Sequence, residues 1–232
     1  MDEPAVSIVM AVRNGERFLP RALDSIAAQS FTDYEVIVID GNSTDDSVNI
    51  ARRYSRIRCI QQTGSGFMSA WNQGIKLSAS PFIAFLDSDD FWSPDKLRAQ
   101  ILYFSEHPQT DYVIGRVRFF LQDGIKPPPG FRPMLLEGSH LAYTPGTSLI
   151  RREVFSNFGL FEDRWTIASD LVWFAKLKEF GIKVGVVDDV LLHKCVHGGN
   201  LSYTTPKETY QRELTRFLKE SLDRRKTTGT LS

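Results

Sequence analysis

Short apolar runs alternate with amphipathic stretches through the first half of the chain. Val6 to Val12, interrupted only by Ser7, predicts a strand, and a helical period follows from about Glu16 to Gln29 with Phe18, Leu19, Ala22, Leu23 and Ile26 on one face. Glu35 to Asp40 predicts a second strand, Thr44 or Asp45 to about Tyr54 a helix, Ile57 to Ile60 a third strand and Ser69 to Ser78 a third helix. Phe82 to Leu86 is apolar at every position, the pattern of a central strand covered on both faces. Strands alternating with helices in this way predict βαβ units and a mostly parallel, doubly wound α/β sheet flanked by helices.

The texture changes after a predicted helix from Pro94 to His107. Tyr112 to Leu121 is strand-like, and Pro127-Pro128-Pro129-Gly130 breaks any helix and marks a loop. Leu149 to Phe155 and Ile167 to Phe180 carry helix-period apolar residues, while Val184 to Val187 and Val190 to Val196 read as strands. Pro206 to Arg225 predicts an amphipathic helix with Tyr210, Leu214, Phe217, Leu218 and Leu222, expected to pack on the domain. Its basic end, Arg224-Arg225-Lys226, leaves weak peripheral membrane contact as another use, and Thr227 to Ser232 reads as disordered.

Composition narrows the class. With 232 residues and 42% hydrophobic content the chain can bury one large core. Lys+Arg and Asp+Glu are both 28, so no global charge points to nucleic acid, and anion binding has to come from local geometry. Cys59 and Cys195 suit free thiols in a reducing compartment. No apolar run is long enough to span a membrane, and Met1-Asp2-Glu3-Pro4 shows no signal-peptide pattern, which together predict a cytoplasmic location.

The densest chemistry lies at the end of the Phe82–Leu86 strand, where Asp87-Ser88-Asp89-Asp90 follows directly. If extended geometry persists, Asp87 and Asp89 point one way and Asp90 the other, and two converging carboxylates can hold one Mg²⁺ or Mn²⁺ with positions left open for a diphosphate. The plainer alternative is helix capping. It accounts for Ser93-Pro94-Asp95 as an N-cap with proline at the first helical position, but not for three acids several residues earlier. The loops after the first and second strands, Arg13-Asn14-Gly15-Glu16 and Asp40-Gly41-Asn42-Ser43-Thr44-Asp45, emerge at the same edge of a parallel sheet as the acidic run.

These segments, with Trp71-Asn72-Gln73-Gly74-Ile75, Phe161-Glu162-Asp163-Arg164, Ile167-Ala168-Ser169-Asp170-Leu171 and His197-Gly198-Gly199-Asn200-Leu201-Ser202, occur in an order that resembles a family 2 glycosyltransferase of the GT-A fold over nearly the whole length. The resemblance implies one GT-A domain over 1–203, with a nucleotide-sugar half at 1–110 and an acceptor half at 111–203, followed by a C-terminal helix and tail at 204–232. It implies inverting transfer from a nucleoside-diphosphate sugar to an acceptor hydroxyl, UDP foremost with GDP or dTDP as alternatives, and a glycan, lipid-linked, peptide or small-molecule acceptor. Asp89 would be the principal metal ligand, with Asp87 and His197 beside it and Asp90 supporting. Ala11, Arg13, Glu16, Asp40, Asn42, Asn72, Asp87 and Ser88 would hold the donor. Asp170 would be the general base, since an acceptor hydroxyl cannot attack unaided, with Glu162 and Asp163 as fallback acids. Asp170 also reads as a first-turn acid at a helix N-terminus, and His197 as a surface histidine before a turn.

The chain departs from the family pattern in three places. Arg13 stands where relatives carry an aromatic, Gly41 where they carry a second acid, and Trp71 where many carry an arginine, so Lys194 or Arg164 would have to supply the missing positive contact. His193 and Cys195 share a strand face with His197 by spacing. The acceptor is expected near Gly115 to Tyr143 and Gly146-Thr147. Gly64-Ser65-Gly66 does not follow the first strand, which disfavours a dinucleotide fingerprint, and no P-loop is present. A nucleotidyltransferase would need a glycine-rich basic loop after the first strand. The alternative from another class is a non-catalytic sugar-nucleotide binding module, or one subunit of a larger glycan synthase.

Overall fold

The computed structural model describes residues 3–227; of the tail expected to be disordered, 228–232 lie outside the described residues and Thr227 closes a helix. The first half is β1 (Val6–Val12), α1 (Leu19–Ala27), β2 (Tyr34–Asp40), α2 (Ser47–Arg52), β3 (Ile57–Gln61), α3 (Phe67–Leu77) and β4 (Phe82–Phe85). The four strands pair in parallel in the order β3-β2-β1-β4, as the apolar pattern predicts. Alternation along β1 sorts its side chains between two cores. Ile8, Met10 and Val12 face α1 and α2, whereas Val9 and Ala11 face α3. Gly74 permits that second contact, because a Cβ there would come within 2.3 Å of Val9 Cγ1.

Helix α1 begins three residues later than its apolar period suggests. The Phe18 and Leu19 N–H groups both donate to the Gly15 carbonyl at 2.9 Å, closing a turn ahead of the helix, and Pro20 sits in its first turn.

The second half adds β5 (Phe91–Trp92), α4 (Lys96–Glu106), β6 (Tyr112–Leu121), β7 (His140–Ala142), β8 (Leu149–Arg151), α5 (Arg152–Phe158), α6 (Ser169–Glu179), β9 (Val184–Val196), α7 (Leu201–Thr204) and α8 (Lys207–Thr227). The sheet continues from β4 through antiparallel β8 to β6, β9 and β5, with β7 on the side of β6. Two expectations are corrected here. Leu149 to Phe155 is not one helix: its first three residues insert as β8 between β4 and β6, and the helix starts at Arg152. Val184 to Val196 is one strand, with its register against β6 shifting around Arg116, near the polar Asp188-Asp189 pair that had suggested a break.

The capping reading of Ser93 also fails. Its hydroxyl donates to the Val190 carbonyl at 2.5 Å, and Asp95 is the residue flanking α4, its carboxylate accepting from Ser30 and Arg98. Helix α8 is bound into the domain. Phe217 is buried with Trp165, Ala168 and Val172, Arg164 makes two 2.8 Å bonds to Glu220, and Arg224 donates to Glu179 at 2.9 Å. Arg224 thus serves to tie α8 to α6. No helix among the described residues is long and apolar enough to cross a membrane.

Candidate active site

The acidic run is not an extended strand. β4 ends at Phe85, and the Asp90 N–H closes a turn onto the Asp87 carbonyl at 3.2 Å, so all three carboxylates converge and each offers an oxygen within 4.8 Å of the others. Asp90, expected on the opposite side, joins the cluster because strand alternation stops before it. β5 follows at once and pairs antiparallel with β9, Phe91 opposite His193 and Trp92 opposite Leu192.

β9 and the turn beyond it supply every partner of the acids. Lys194 Nζ donates to Asp90 Oδ2 at 2.9 Å and Asp87 Oδ2 at 3.2 Å, and the Cys195 N–H donates to Asp90 Oδ1 at 2.8 Å. His197 Nε2 lies 2.9 Å and Asn200 Nδ2 3.0 Å from Asp89 Oδ2. Asn200 in turn accepts the His197 N–H, while Phe18 stacks on the imidazole at 4.6 Å. His193, by contrast, lies flat on Phe91 at 4.4 Å and meets Ser93, away from the acids.

Burial raises the pKa of Asp90 to about 8 and also raises that of Asp87, with Lys194 opposing both shifts and the neighbouring carboxylates reinforcing them. Burial works the same way on Asp89, but the His197 hydrogen bond and the Lys194 and His197 charges outweigh it and hold that pKa below the usual value. Burial also disfavours the charged form of Lys194, yet the three carboxylates keep it well above the ordinary lysine value and therefore cationic. Asp87 Oδ1 is buried with no hydrogen-bond partner. An orphaned carboxylate oxygen beside two more acids is a donor set that a hard divalent cation satisfies.

The acids open onto a cleft of about 890 Å³. Ala11 and Arg13 reach it from the end of β1, Asn42 from the end of β2, Asp87, Ser88 and Asp89 from the acidic turn, Asp170 from the first turn of α6, and His197 from beyond β9. Lys194 lines it as well. Asp170 accepts the Leu171 N–H at 2.8 Å; burial raises its pKa, the Asp87 charge adds to the rise, and Lys194 opposes it.

Three predicted donor contacts fall outside the cleft lining. Glu16 Oε2 accepts the Asp46 N–H at 3.0 Å, and Asp40, 6% exposed, accepts the Ser43 N–H. Asn72 is buried and makes two bonds to the Phe161 backbone, at 2.8 and 3.1 Å. Each serves the scaffold. The loops after β1 and β2 are laced in the same way, Asn14 and Gly15 N–H donating to Ser43 and Ser47 hydroxyls at 2.9 and 2.8 Å.

Gly146 and Thr147, expected near the acceptor, are buried. The Gly146 carbonyl takes the Trp92 indole N–H at 2.8 Å, and Thr144 is the residue nearby that lines the cleft. Arg164 and Glu162 pair with each other and with Glu220 and Lys176, leaving Asp170 as the acid at the cleft from that segment. Trp71 fills its family position with a buried ring packed on Phe67, Phe85 and Phe161. Phe18 and Asn200 escaped the sequence reading as individual site residues. Asn200 had a signal, its place in the His197–Ser202 match, whereas Phe18 reads simply as part of the α1 apolar face.

The chain is similar to known glycosyltransferases in sequence and in fold. An uncharacterized glycosyltransferase of Nostoc sp. is 26% identical over 229 residues, covering 90% of this chain and 70% of its own. Among solved structures, TarS 1-349 of S. aureus in complex with UDP-GlcNAc matches with a TM-score of 0.71 at 20% identity, over 87% of this chain and 61% of that one. The mannosyltransferase PcManGT of Pyrobaculum calidifontis, in complex with GDP-Man and Mn²⁺, matches with a TM-score of 0.68 at 18% identity, over 96% of this chain and 65% of that one. Other curated glycosyltransferases are longer than the shared region, which makes up 34% and 48% of their length. The structural matches establish the GT-A fold. The family model for glycosyl transferase family 2 matches residues 7–159, two thirds of the sequence, and the chain belongs to that family.

Proposed function

We propose that this chain transfers a sugar from a nucleoside-diphosphate sugar to an acceptor hydroxyl, with inversion at the anomeric carbon and with a divalent cation at the acidic triad. The observation that carries this reading is the meeting, in one cleft, of Asp87 and Asp89, which converge with the buried Asp90 behind them, with a separate carboxylate, Asp170, in the first turn of α6. Neighbours of the same fold bind UDP, UDP-GlcNAc and GDP-Man, one of them with Mn²⁺, which supports a nucleoside-diphosphate sugar here.

Asp87 and Asp89 would hold Mn²⁺ or Mg²⁺, with Asp90 buried behind them and His197 at the edge of the set, and an ion held there would supply charge neutralisation for a departing diphosphate. Arg13, Asn42 and the end of β1 face the nucleoside, with the guanidinium presenting a flat surface for a base. Asp170 takes the acceptor proton as its oxygen attacks. Burial raises its pKa, which makes the carboxylate a stronger base than an ordinary one.

Thermal shift with UDP, GDP and dTDP, each with and without Mn²⁺, tests the donor half. A ligand at about a hundred times its dissociation constant stabilises by about 2.7 kcal/mol. A Mn²⁺-dependent rise for one nucleotide that disappears in Asp89→Ala is expected. No rise with any nucleotide in folded wild-type protein overturns the reading.

A further inference from the structure

We propose that Lys194 is the second cation of the donor site. In the free protein it occupies the acidic triad, and once a divalent ion takes those carboxylates its ammonium serves the diphosphate. This inference rests on the proposed function, since it assumes that a nucleoside diphosphate is the ligand of the triad.

The argument is one of charge and position. Three carboxylates within 4.8 Å of one another cannot all be ionised in a buried setting without compensation. Lys194 Nζ sits between two of them, at 2.9 and 3.2 Å, on a side chain that is 28% exposed and lines the cleft. The ammonium thus supplies, in the free protein, part of the positive charge that a divalent ion would supply at the same oxygens.

An incoming diphosphate then brings fresh negative charge, and the only lysine or arginine side chains among the described residues lining the cleft are Arg13 and Lys194. Arg13 lies at the end of β1, beside Gly41 and Asn42 of the second loop, whereas Lys194 adjoins the acids. Trp71, which also lines the cleft, is uncharged, and its ring is packed among Phe67, Phe85 and Phe161. Lys194 is therefore the positive group placed to meet phosphate oxygens next to the metal ligands. A lysine on a flexible four-carbon stem can turn from one anion to another without moving its strand.

The two roles make opposite demands, and this separates them from simple support of the fold. Lys194 competes with a metal ion for Asp87 Oδ2 and Asp90 Oδ2, but it attracts diphosphate. In Lys194→Met, Mn²⁺ affinity, read from free Mn²⁺ by electron paramagnetic resonance, should rise by about ten-fold or more. UDP and GDP affinity at saturating Mn²⁺, read by calorimetry, should fall by about ten-fold for whichever nucleotide the wild type binds. Lys194→Arg keeps the charge and should return both affinities toward wild type. A loss of both affinities in Lys194→Met, or no change in either, overturns the proposal while leaving donor binding by the wild type intact. Failure of wild-type protein to bind Mn²⁺ or either nucleotide is a different result, which overturns the proposed function and this inference with it.

Discussion

Glu213, in the second turn of α8, accepts the backbone N–H of Ala168 at 2.9 Å, two residues ahead of Asp170. The same carboxylate takes the N–H groups of Thr166 and Ile167 at 2.6 and 3.1 Å. Three consecutive donors at the entry to α6 are thereby fixed on one side chain, and the loop they belong to carries the proposed base into the cleft. Glu213→Gln replaces one of the two accepting oxygens by an NH₂ that faces a backbone donor, removes the charge from the other bonds, and should cost about 2–3 kcal/mol in urea unfolding. It should also lower turnover more than donor affinity, because the donor contacts lie on other elements.

Glu213 makes stability depend on pH in a defined direction. Burial alone would raise its pKa, but the three N–H donors and the Thr166 side chain outweigh it and hold it below the ordinary glutamate value. A depressed carboxylate binds fewer protons in the folded state than in the unfolded one. Its stabilisation is therefore complete above about pH 4.5 and is lost as pH falls through the lower folded value. Urea midpoints at pH 6 and pH 3.5 should differ less in Glu213→Gln than in the wild type.

Asp170 is shifted the other way, upward, by burial first and by the Asp87 charge as well. A base works only when deprotonated, so the acid limb of the turnover profile should lie above the ordinary aspartate value of about 3.9. Activity should rise with pH through that limb. Asp170→Asn should reduce turnover by about 10²–10⁴-fold with donor affinity retained. Unchanged turnover in that variant would remove Asp170 as the base, whereas equal, negligible activity of both proteins against a broad acceptor panel would favour a binding module.

Asn72 offers a test of scaffold against ligand contact. Its amide satisfies both the N–H and the carbonyl of Phe161, tying α3 to the segment that leads into α6. Asn72→Ala strands both groups in the core and should cost about 2–4 kcal/mol. UDP affinity of the folded variant should stay near wild type; a specific loss of affinity at unchanged stability would return Asn72 to the donor site.

The parallel half of the sheet was legible because β1, β2 and β4 each carry an apolar run, broken in β1 only by Ser7, and the turns that follow the first two are polar. Asp87, Asp89, Asp170 and His197 were legible too, through their place in ordered motifs. Leu149 to Phe155 was not, since a three-residue strand running straight into a helix leaves too few positions for either period to show. Glu16, Asp40 and Asn72 illustrate a different limit. A polar residue at a strand end or on a helix can bind a ligand or satisfy a neighbouring backbone, and composition is the same in both cases. Lys194 stood out only by the lack of an arginine at Trp71. Its contact with Asp87 and Asp90 depends on pairing between β5 and β9, which local pattern does not encode.

That pairing acts as a gauge for the whole cleft. β5 is two residues long, begins right after the acidic turn, and matches Phe91 to His193 and Trp92 to Leu192. Lys194, His197 and Asn200 all lie on the β9 side of this short ladder, and the three acids lie just upstream on the other. A slip of two residues between the strands would carry the lysine, the imidazole and the amide some 7 Å past the carboxylates together. The two sides of the cleft are thus aligned by two residues outside its lining, and a proline at Trp92 would misalign them as a unit rather than one contact at a time.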